Sequence, residues 1–417
     1  MRILKLTPAV EKNLLRARQE RDREAERIAG KIIADVRKRG DTALAAYAKK
    51  FDALDLRREG IWVAPGEIAA AAKQVSPEFV RAVAHAARNV RRVAEQQLPR
   101  PWSLNIEPGV IIRNLIRPID SIGCYIPGGR FALVSTMVMT VVPAKVSGVK
   151  SIAVVCPKPN AELLAAASIL SVQKIARIGG AQAVAALAYG TKSIARVDKI
   201  FGPGNRFVTA AKQLVSGDCA IDLPAGPTEA IVLAFSGNPR WIAADLLAQA
   251  EHAPDAGSFL VTPSAKFAAA VQKEVALQLE KLPSTNPAHC SMRTTGAIVL
   301  ASSLEAACAF SNRFAPEHLS LPGSPEGLLK KITAAGTVFL GPWAAQPLGD
   351  YISGSNHVLP TGGWARMRAG LSAADFVKCI TVQDISERGL ANLAKDAVTL
   401  ARVEGLPAHA NAVEVRR

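Results

Sequence analysis

Aromatic side chains are scarce in this chain, 5% of 417 residues, and none interleaves with a run of basic residues. That counts against a nucleic-acid groove, which stacks bases on aromatic rings beside its lysines and arginines. Cysteine is also sparse. Cys124, Cys156, Cys219, Cys290, Cys308 and Cys379 are scattered with no C-x-x-C pair, so they read as reduced core residues rather than a disulfide framework. No apolar run approaches the roughly 20 residues of a membrane span. The N-terminus, MRILKLTPAVEKNLLRARQ, lacks the apolar core and cleavage site of a signal peptide. No membrane partner is expected, and the protein is expected in the cytoplasm. Neither G-x-G-x-x-G nor a Walker A loop occurs.

Acidic residues are outnumbered, 35 Asp and Glu against 51 Lys and Arg, for a formal charge of +16. Such an excess raises nucleic acid as a partner. Within residues 11–39, however, Glu11, Glu20, Asp22, Glu24, Glu26 and Asp35 are mixed among the basic residues. That is the look of a solvated amphipathic helix with pairs such as Asp35–Arg39. The basic surface is read as an aid to solubility that draws anionic ligands, and no nucleic-acid partner is expected.

At 44.0 kDa the chain is too long for one ordinary core. The first hundred residues read as mainly helical: one long helix over 8–39 stopped by Gly40, a shorter one after Asp41, and a third over 77–97. From about residue 110, short apolar runs alternate with Ala-rich helical segments. Strands are expected at 111–115, 120–126, 151–156, 174–178, 197–201, 230–235, 257–262, 296–300 and 336–340. Helices are expected near 132–147, 160–170, 181–189, 204–215, 241–251, 265–281, 303–313 and 325–333. The tail after residue 380 reads as helical, ending in a short AVEVRR strand. This alternation predicts an α/β protein with two Rossmann-like, mostly parallel sheets and helical N-terminal and C-terminal segments. No repeat is visible at the residue level.

Ligands of open α/β sheets bind beyond the carboxyl ends of the strands. Three glycine-rich turns follow strands there: Tyr125-Ile-Pro-Gly-Gly-Arg130, Gly179-Gly-Ala-Gln182 and Phe201-Gly-Pro-Gly-Asn205. Glycine lets backbone N–H groups approach an anion at a helix N-terminus, so a nucleotide contact is expected.

Polar chemistry gathers elsewhere. Residues 349–363, GDYISGSNHVLPTGG, break helix and strand periodicity and carry Asp350 and His357; an unpatterned loop of this length in a compact chain points to an active site. Asp245, Gln249 and His252 share one helix face at i, i+4 and i+7. Chemistry alone pairs His252 with Asp245 or Glu251, because an amide oxygen is an uncommon zinc ligand. Glu317 and His318 stand side by side after Pro316, an arrangement suited to acid–base work, although adjacent polar residues on a loop are common. His409 follows near the C-terminus. His252, His318, His357 and His409 are four of the six histidines; His85 and His289 read as structural.

Taken in order, Arg39-Gly-Asp…Tyr47…Phe51-Asp52, Phe201-Gly-Pro-Gly-Asn205, Pro224-Ala-Gly-Pro227, Gln249-Ala-Glu-His252, Pro316-Glu-His318, Gly349-Asp-Tyr…Asn356-His-Val-Leu-Pro-Thr361 and Glu404-Gly-Leu…His409…Asn411-Ala-Val413 resemble histidinol dehydrogenase over nearly the whole chain. The resemblance implies an enzyme of histidine biosynthesis oxidising L-histidinol through the aldehyde to L-histidine with two NAD+. It implies one zinc per subunit on Gln249, His252, Asp350 and His409, which displaces Asp245 and Glu251. It implies Glu317 and His318 as the acid–base pair. Thr228, Gln249, His252, His318, Asp350, His357, Glu404 and His409 would contact substrate, and Tyr125, Gln182 and Asn205 would contact NAD+. A homodimer is implied, its C-terminal segment reaching the partner's site. The expected division is a helical segment 1–20, a zinc and substrate domain formed by 21–124 and 229–371, an NAD domain 125–228, and a tail 372–417. Thr228 stands where the family has serine, Ala253 where Asp or Gly is common, and Trp364 where a smaller residue follows Pro360-Thr-Gly-Gly. A relative acting on another small polar alcohol, such as a sulfonated diol, is the alternative.

Overall fold

A computed structural model of the chain describes residues 1–18, 22–128, 133–224, 226–323 and 327–417. Glu20, Gly129, Arg130 and Ala225, and the first residues of the helices expected from 132 and 325, lie outside these bounds.

Two parallel sheets dominate, as the strand–helix alternation predicts. Across the first, the strands run Ile175–Ala176, Ser151–Val155, Ser121–Tyr125, Lys199–Phe201, Ala220–Ile221. Numbered by appearance in the chain, that order is 3-2-1-4-5. Across the second they run Ala297–Leu300, Gly257–Thr262, Glu229–Leu233, His318–Leu321, Thr337–Leu340, which is 3-2-1-4-5 again. The N-terminal strand Arg2–Lys5 extends the second sheet, pairing in parallel with Ala297–Leu300. One winding therefore occurs twice, without any repeat in the residues.

Helices cover both faces of both sheets. In the five-stranded sheet, Pro77–Gln97, Val134–Val146 and Ala161–Ile169 pack on one face, and Arg23–Arg39, Gly180–Tyr189 and Arg206–Val215 on the other. In the six-stranded sheet, Pro239–Ala250 and Ala265–Leu279 pack on one face and Leu304–Phe314 on the other. Strands buried on both faces read as unbroken apolar runs, and Gly257–Thr262 is buried at every residue.

Several expectations need correction. The long helix over 8–39 is two helices, Pro8–Arg16 and Arg23–Arg39. Asp22 starts the second by accepting the Ala25 N–H at 2.9 Å. Apolar periodicity runs across the break because each helix buries a face, Leu14 and Leu15 against the six-stranded sheet and Ala25 to Val36 against the other. The strand expected at 111–115 belongs to a third, antiparallel sheet made of Trp102–Glu107, Val110–Pro118 and Val377–Ile385. Its two outer strands escaped notice because they are largely exposed and present no apolar run. The AVEVRR segment is no strand: it falls at the end of the helix Pro407–Glu414, which Pro407 opens. Residues 21–124 were grouped with 229–371, but the helices from Arg23 to Gln97 pack on the five-stranded sheet, whose central strand is Ser121–Tyr125. Among the described residues no helix is long and apolar enough to cross a membrane.

Candidate active site

Glu317 and His318 were expected on a loop. His318 instead opens the strand His318–Leu321 and pairs with Ala230 of the neighbouring strand. Ala315, in the left-handed region at φ 51°, ends the helix Leu304–Phe314, and Pro316 then carries the chain into the sheet. Both residues are buried, Glu317 at 7% and His318 at 2% exposure. Glu317 Oε2 accepts hydrogen bonds from Thr228 Oγ1 at 2.5 Å and from the Glu229 backbone N–H at 3.0 Å.

Among the described residues, neither ring nitrogen of His318 has a hydrogen-bond partner. Nδ1 lies 3.8 Å from Glu317 and Nε2 3.7 Å from Asp350. Burial alone lowers the pKa of His318, but the carboxylates of Glu317 and Asp350 outweigh it and the net direction is upward. A buried imidazole left unpartnered is costly, so this arrangement is suited to a ligand that supplies the missing partners.

Gln249 and His252 come from the end of the helix Pro239–Ala250, beside the same strand starts. Gln249 is fully buried. His252 is exposed, and its Nδ1 lies 3.0 Å from the Ala248 carbonyl. That contact makes Nδ1 the protonated nitrogen and leaves Nε2 with its lone pair. Of the two carboxylates that chemistry alone would pair with His252, burial pushes the pKa of Asp245 up to about 6, and Glu251 accepts from Asn286 Nδ2 at 3.2 Å.

The stretch 349–363 begins in a helix, Gln346–Tyr351, with Pro347 in its first turn. The remainder is irregular and pinned at several points. Asn89 Nδ2 donates to Ile352 O at 2.8 Å, Asn356 Nδ2 to Met139 O at 2.7 Å, and Gly362 N to Glu229 Oε1 at 3.1 Å. His357 Nδ1 donates to the Asp350 carbonyl at 2.9 Å, and its Nε2 lies 3.1 Å from Thr136 Oγ1. Burial pushes the His357 pKa down. Burial would raise the Asp350 pKa, but His318, His357 and His252 hold it below the usual carboxylate value. One carboxylate thus has three of the singled-out histidines around it.

Thr136 sits in the first turn of the helix after strand Ser121–Tyr125, so its contact with His357 brings the carboxyl ends of the five-stranded sheet to this site. The three glycine-rich turns lie at those ends. Tyr125 and Phe201 finish the strands between which the strand order reverses. The Tyr125 hydroxyl accepts the Gly180 N–H at 3.1 Å, and burial pushes its pKa up to about 12. Gly202 has φ 113°, and a Cβ there would fall 2.2 Å from the Tyr125 carbonyl oxygen. Beneath it, Asp222 of the buried pair Lys212–Asp222 accepts the Gly202 N–H at 2.7 Å. Gln182 is buried with its Oε1 unpartnered. Asn205 caps the helix Arg206–Val215 by accepting from Phe207 N at 3.0 Å and Val208 N at 3.2 Å.

Glu404 and His409 are not brought to this group. Both are exposed on the tail, whose helices pack on each other and on Val377–Ile385.

The profile of the histidinol dehydrogenase family matches residues 15–417. The chain is 44% identical to the histidinol dehydrogenase of Geobacter sulfurreducens over 405 residues, 95% of this chain and 94% of that one. It is 45% identical to that of Methanothermobacter thermautotrophicus over 394 residues, 92% of each. The crystal structure of histidinol dehydrogenase from Elizabethkingia anophelis superposes with a TM-score of 0.92 at 38% identity, covering 100% of this chain and 97% of that one. The chain belongs to the histidinol dehydrogenase family.

Membership of the histidinol dehydrogenase family makes the chain an NAD-dependent oxidoreductase and implies zinc. Among the described residues no cluster of three or more His, Cys, Asp and Glu could hold a metal ion. The donors nevertheless fit zinc in part: a depressed carboxylate at Asp350, a bare Nε2 at His252 whose other nitrogen is tied to a carbonyl, and the amide of Gln249. Thr136, Glu229, Arg18 and Gln346 were missed. Gln346 carried a legible signal, one helical turn before Asp350, and Glu229 stands directly after Thr228. Nothing in the sequence marks Arg18, which grips Glu229 from 211 residues away, or Thr136.

Proposed function

We propose that the chain oxidises L-histidinol through L-histidinaldehyde to L-histidine, and that Glu317 and His318 perform the proton transfers. The observation that carries the assignment of roles is the buried, doubly unpartnered imidazole of His318 beside a carboxylate held by two hydrogen bonds. A bound zinc ion would act as a Lewis acid that holds the amino alcohol, and NAD+ accepts the hydride. Gln249, His252 and Asp350 would hold the metal, with His409 as the fourth ligand. Tyr125, Gln182 and Asn205 would contact NAD+, on the same side as the glycine turns.

In the first oxidation a ring nitrogen of His318 takes the hydroxyl proton as hydride leaves the carbinol carbon. The aldehyde must then gain water, because only its hydrate has a second hydride to give. Glu317 takes the proton from that water; its Oε2 is occupied by Thr228 and Glu229 N, which leaves Oε1 for the task. His318 returns its proton to the aldehyde oxygen as the water adds and, neutral again, takes a hydroxyl proton of the hydrate in the second oxidation. His357 and Thr228 would line the substrate, and Glu404 would face its ammonium group.

We infer a homodimer in which Glu404 and His409 serve the partner's site. Their exposure supports it, as do the exposed apolar residues Leu400, Val403, Leu406 and Val415 on the same tail. On this reading the six-stranded sheet with the stretch 349–363 forms the metal and substrate unit, and the five-stranded sheet forms the cofactor unit.

The test is the NADH formed per histidinol consumed, before and after chelation. Two equivalents, abolished by the chelator and restored by Zn2+, are expected; one equivalent rules out the aldehyde step. For the shared site, His252→Ala and His409→Ala homodimers should each be inactive, while dimers mixed from the two regain activity. Mixtures that stay inactive refute the exchange. Nothing in the site favours a sulfonated diol or a nucleic acid.

A further inference from the structure

The helix Gln346–Tyr351 packs against the end of Pro239–Ala250, and side chains across this contact form a hydrogen-bonded string. Gln346 Nε2 donates to Gln249 Oε1 at 2.6 Å, and Gln249 Nε2 donates to Thr228 Oγ1 at 2.9 Å. The Thr228 hydroxyl then donates to Glu317 Oε2 at 2.5 Å. Gln346 and Gln249 are both buried, at 1% and 0% exposure. The reaction scheme does not use Gln346.

A primary amide can be turned so that oxygen and nitrogen exchange places, and its surroundings decide which way it lies. Here the decision begins at Glu317. An ionised carboxylate only accepts, so the Thr228 hydroxyl must give it its proton. That hydroxyl then receives from the NH2 group of Gln249, which places the Gln249 oxygen at the opposite end, facing Gln346. Gln346 meets it with an N–H. A carbonyl oxygen has two lone pairs, so one remains for a metal. Asp350 lies one helical turn beyond Gln346 on the same short helix.

We propose that Gln346 is a positioning residue for the metal site, fixing the Gln249 amide with its oxygen available to zinc. The proposal rests on the reading of Gln249 as a metal ligand. An amide oxygen is a weak zinc donor, so its contribution depends on orientation more than that of an imidazole or a carboxylate.

The measurement is zinc affinity by chelator competition on the purified full-length protein, alongside thermal unfolding of the zinc-free protein. Gln346→Met removes the donor at similar volume, and zinc affinity should fall about 10- to 100-fold, the usual effect of losing an outer-shell partner. Thr228→Val removes the other anchor of the amide and should weaken zinc as Gln346→Met does. If Gln346→Met does not fold, Gln346→Asn, which withdraws the amide by one carbon, takes its place with the same expected loss. Unchanged zinc affinity in the Gln346 variant overturns the proposal, and so does a loss of zinc-free stability alone, which would mark Gln346 as packing. Gln249→Leu separates the two readings. If it too leaves zinc affinity unchanged, Gln249 is no ligand and the underlying assignment falls; if it weakens zinc while the Gln346 variant does not, only the positioning role falls.

Discussion

The two parallel sheets share a strand order and are used from opposite ends. In the five-stranded sheet Tyr125, Gly180 and Gly202 lie at the carboxyl ends of strands, where Gly180–Tyr189 and Arg206–Val215 begin. In the six-stranded sheet Thr228, Glu317 and His318 lie at the amino ends, where Pro239–Ala250 finishes beside them. A helix start offers unpaired N–H groups and partial positive charge, and a helix finish offers unpaired carbonyls and partial negative charge. The first environment suits the pyrophosphate of a dinucleotide, the second a metal cation and an ammonium group. On the proposed assignments, the rule that ligands sit beyond carboxyl ends describes one half of this molecule and is inverted in the other. Winding alone does not say which end of a sheet will be used; the charge of what must bind does.

The comparison predicts that changes at one sheet leave the other half's ligand alone. The largest effect is expected from Glu317→Gln, at the amino-end site. Oxidation of supplied histidinaldehyde should fall by roughly 100-fold or more, the usual contribution of a positioned general base, and oxidation of histidinol to the aldehyde should fall less. Equal loss in both steps would contradict the role given to Glu317. Next comes Gly202→Ala in the five-stranded sheet. A Cβ there meets the Tyr125 carbonyl oxygen at 2.2 Å on a backbone with φ 113°, a strain worth about 1–3 kcal/mol. KM for NAD+ should rise and stability fall while bound zinc, measured by atomic absorption, stays the same; a parallel loss of zinc would break the division. The smallest effect concerns Glu229, whose pKa burial pushes from 4.5 to about 7, with Arg18 pulling it down and Glu317 adding to the rise. A folded pKa above the unfolded one means the stabilising contribution is full below about pH 4.5 and lost as pH rises through about 7. Urea unfolding on either side of that window should show Glu229→Gln with a flatter pH dependence than the unmodified chain.

Strand–helix alternation made both sheets legible, because strands covered on two faces must be apolar throughout. The third sheet was illegible for the complementary reason: Trp102–Glu107 and Val377–Ile385 bury little. His318–Leu321 was overlooked because a strand of four residues behind Pro316 leaves too short an apolar signal. At the site, residues with scarce chemistry could be picked out individually. His252, His318, His357 and Asp350 do meet. Side chains that act through others, Arg18 and Thr136 above all, have no distinctive type or spacing, and their significance lies in contacts that only the fold creates. Glu404 and His409 stay apart from the others within one chain, and the proposed sharing of the site between subunits is what would bring them in.

The edge strand Arg2–Lys5 also sets an order of events during synthesis. The five-stranded sheet lies wholly within residues 121–221 and can close as soon as that stretch has emerged from the ribosome. The six-stranded sheet cannot. Its edge strand is made before that stretch, but the partner, Ala297–Leu300, follows nearly three hundred residues later. Until then the leading segment must wait unpaired while the cofactor half folds behind it. Joining so distant a pair is slow, because loop closure precedes the contacts that reward it. The half assigned above to the metal and the proton transfers is thus the last to become whole.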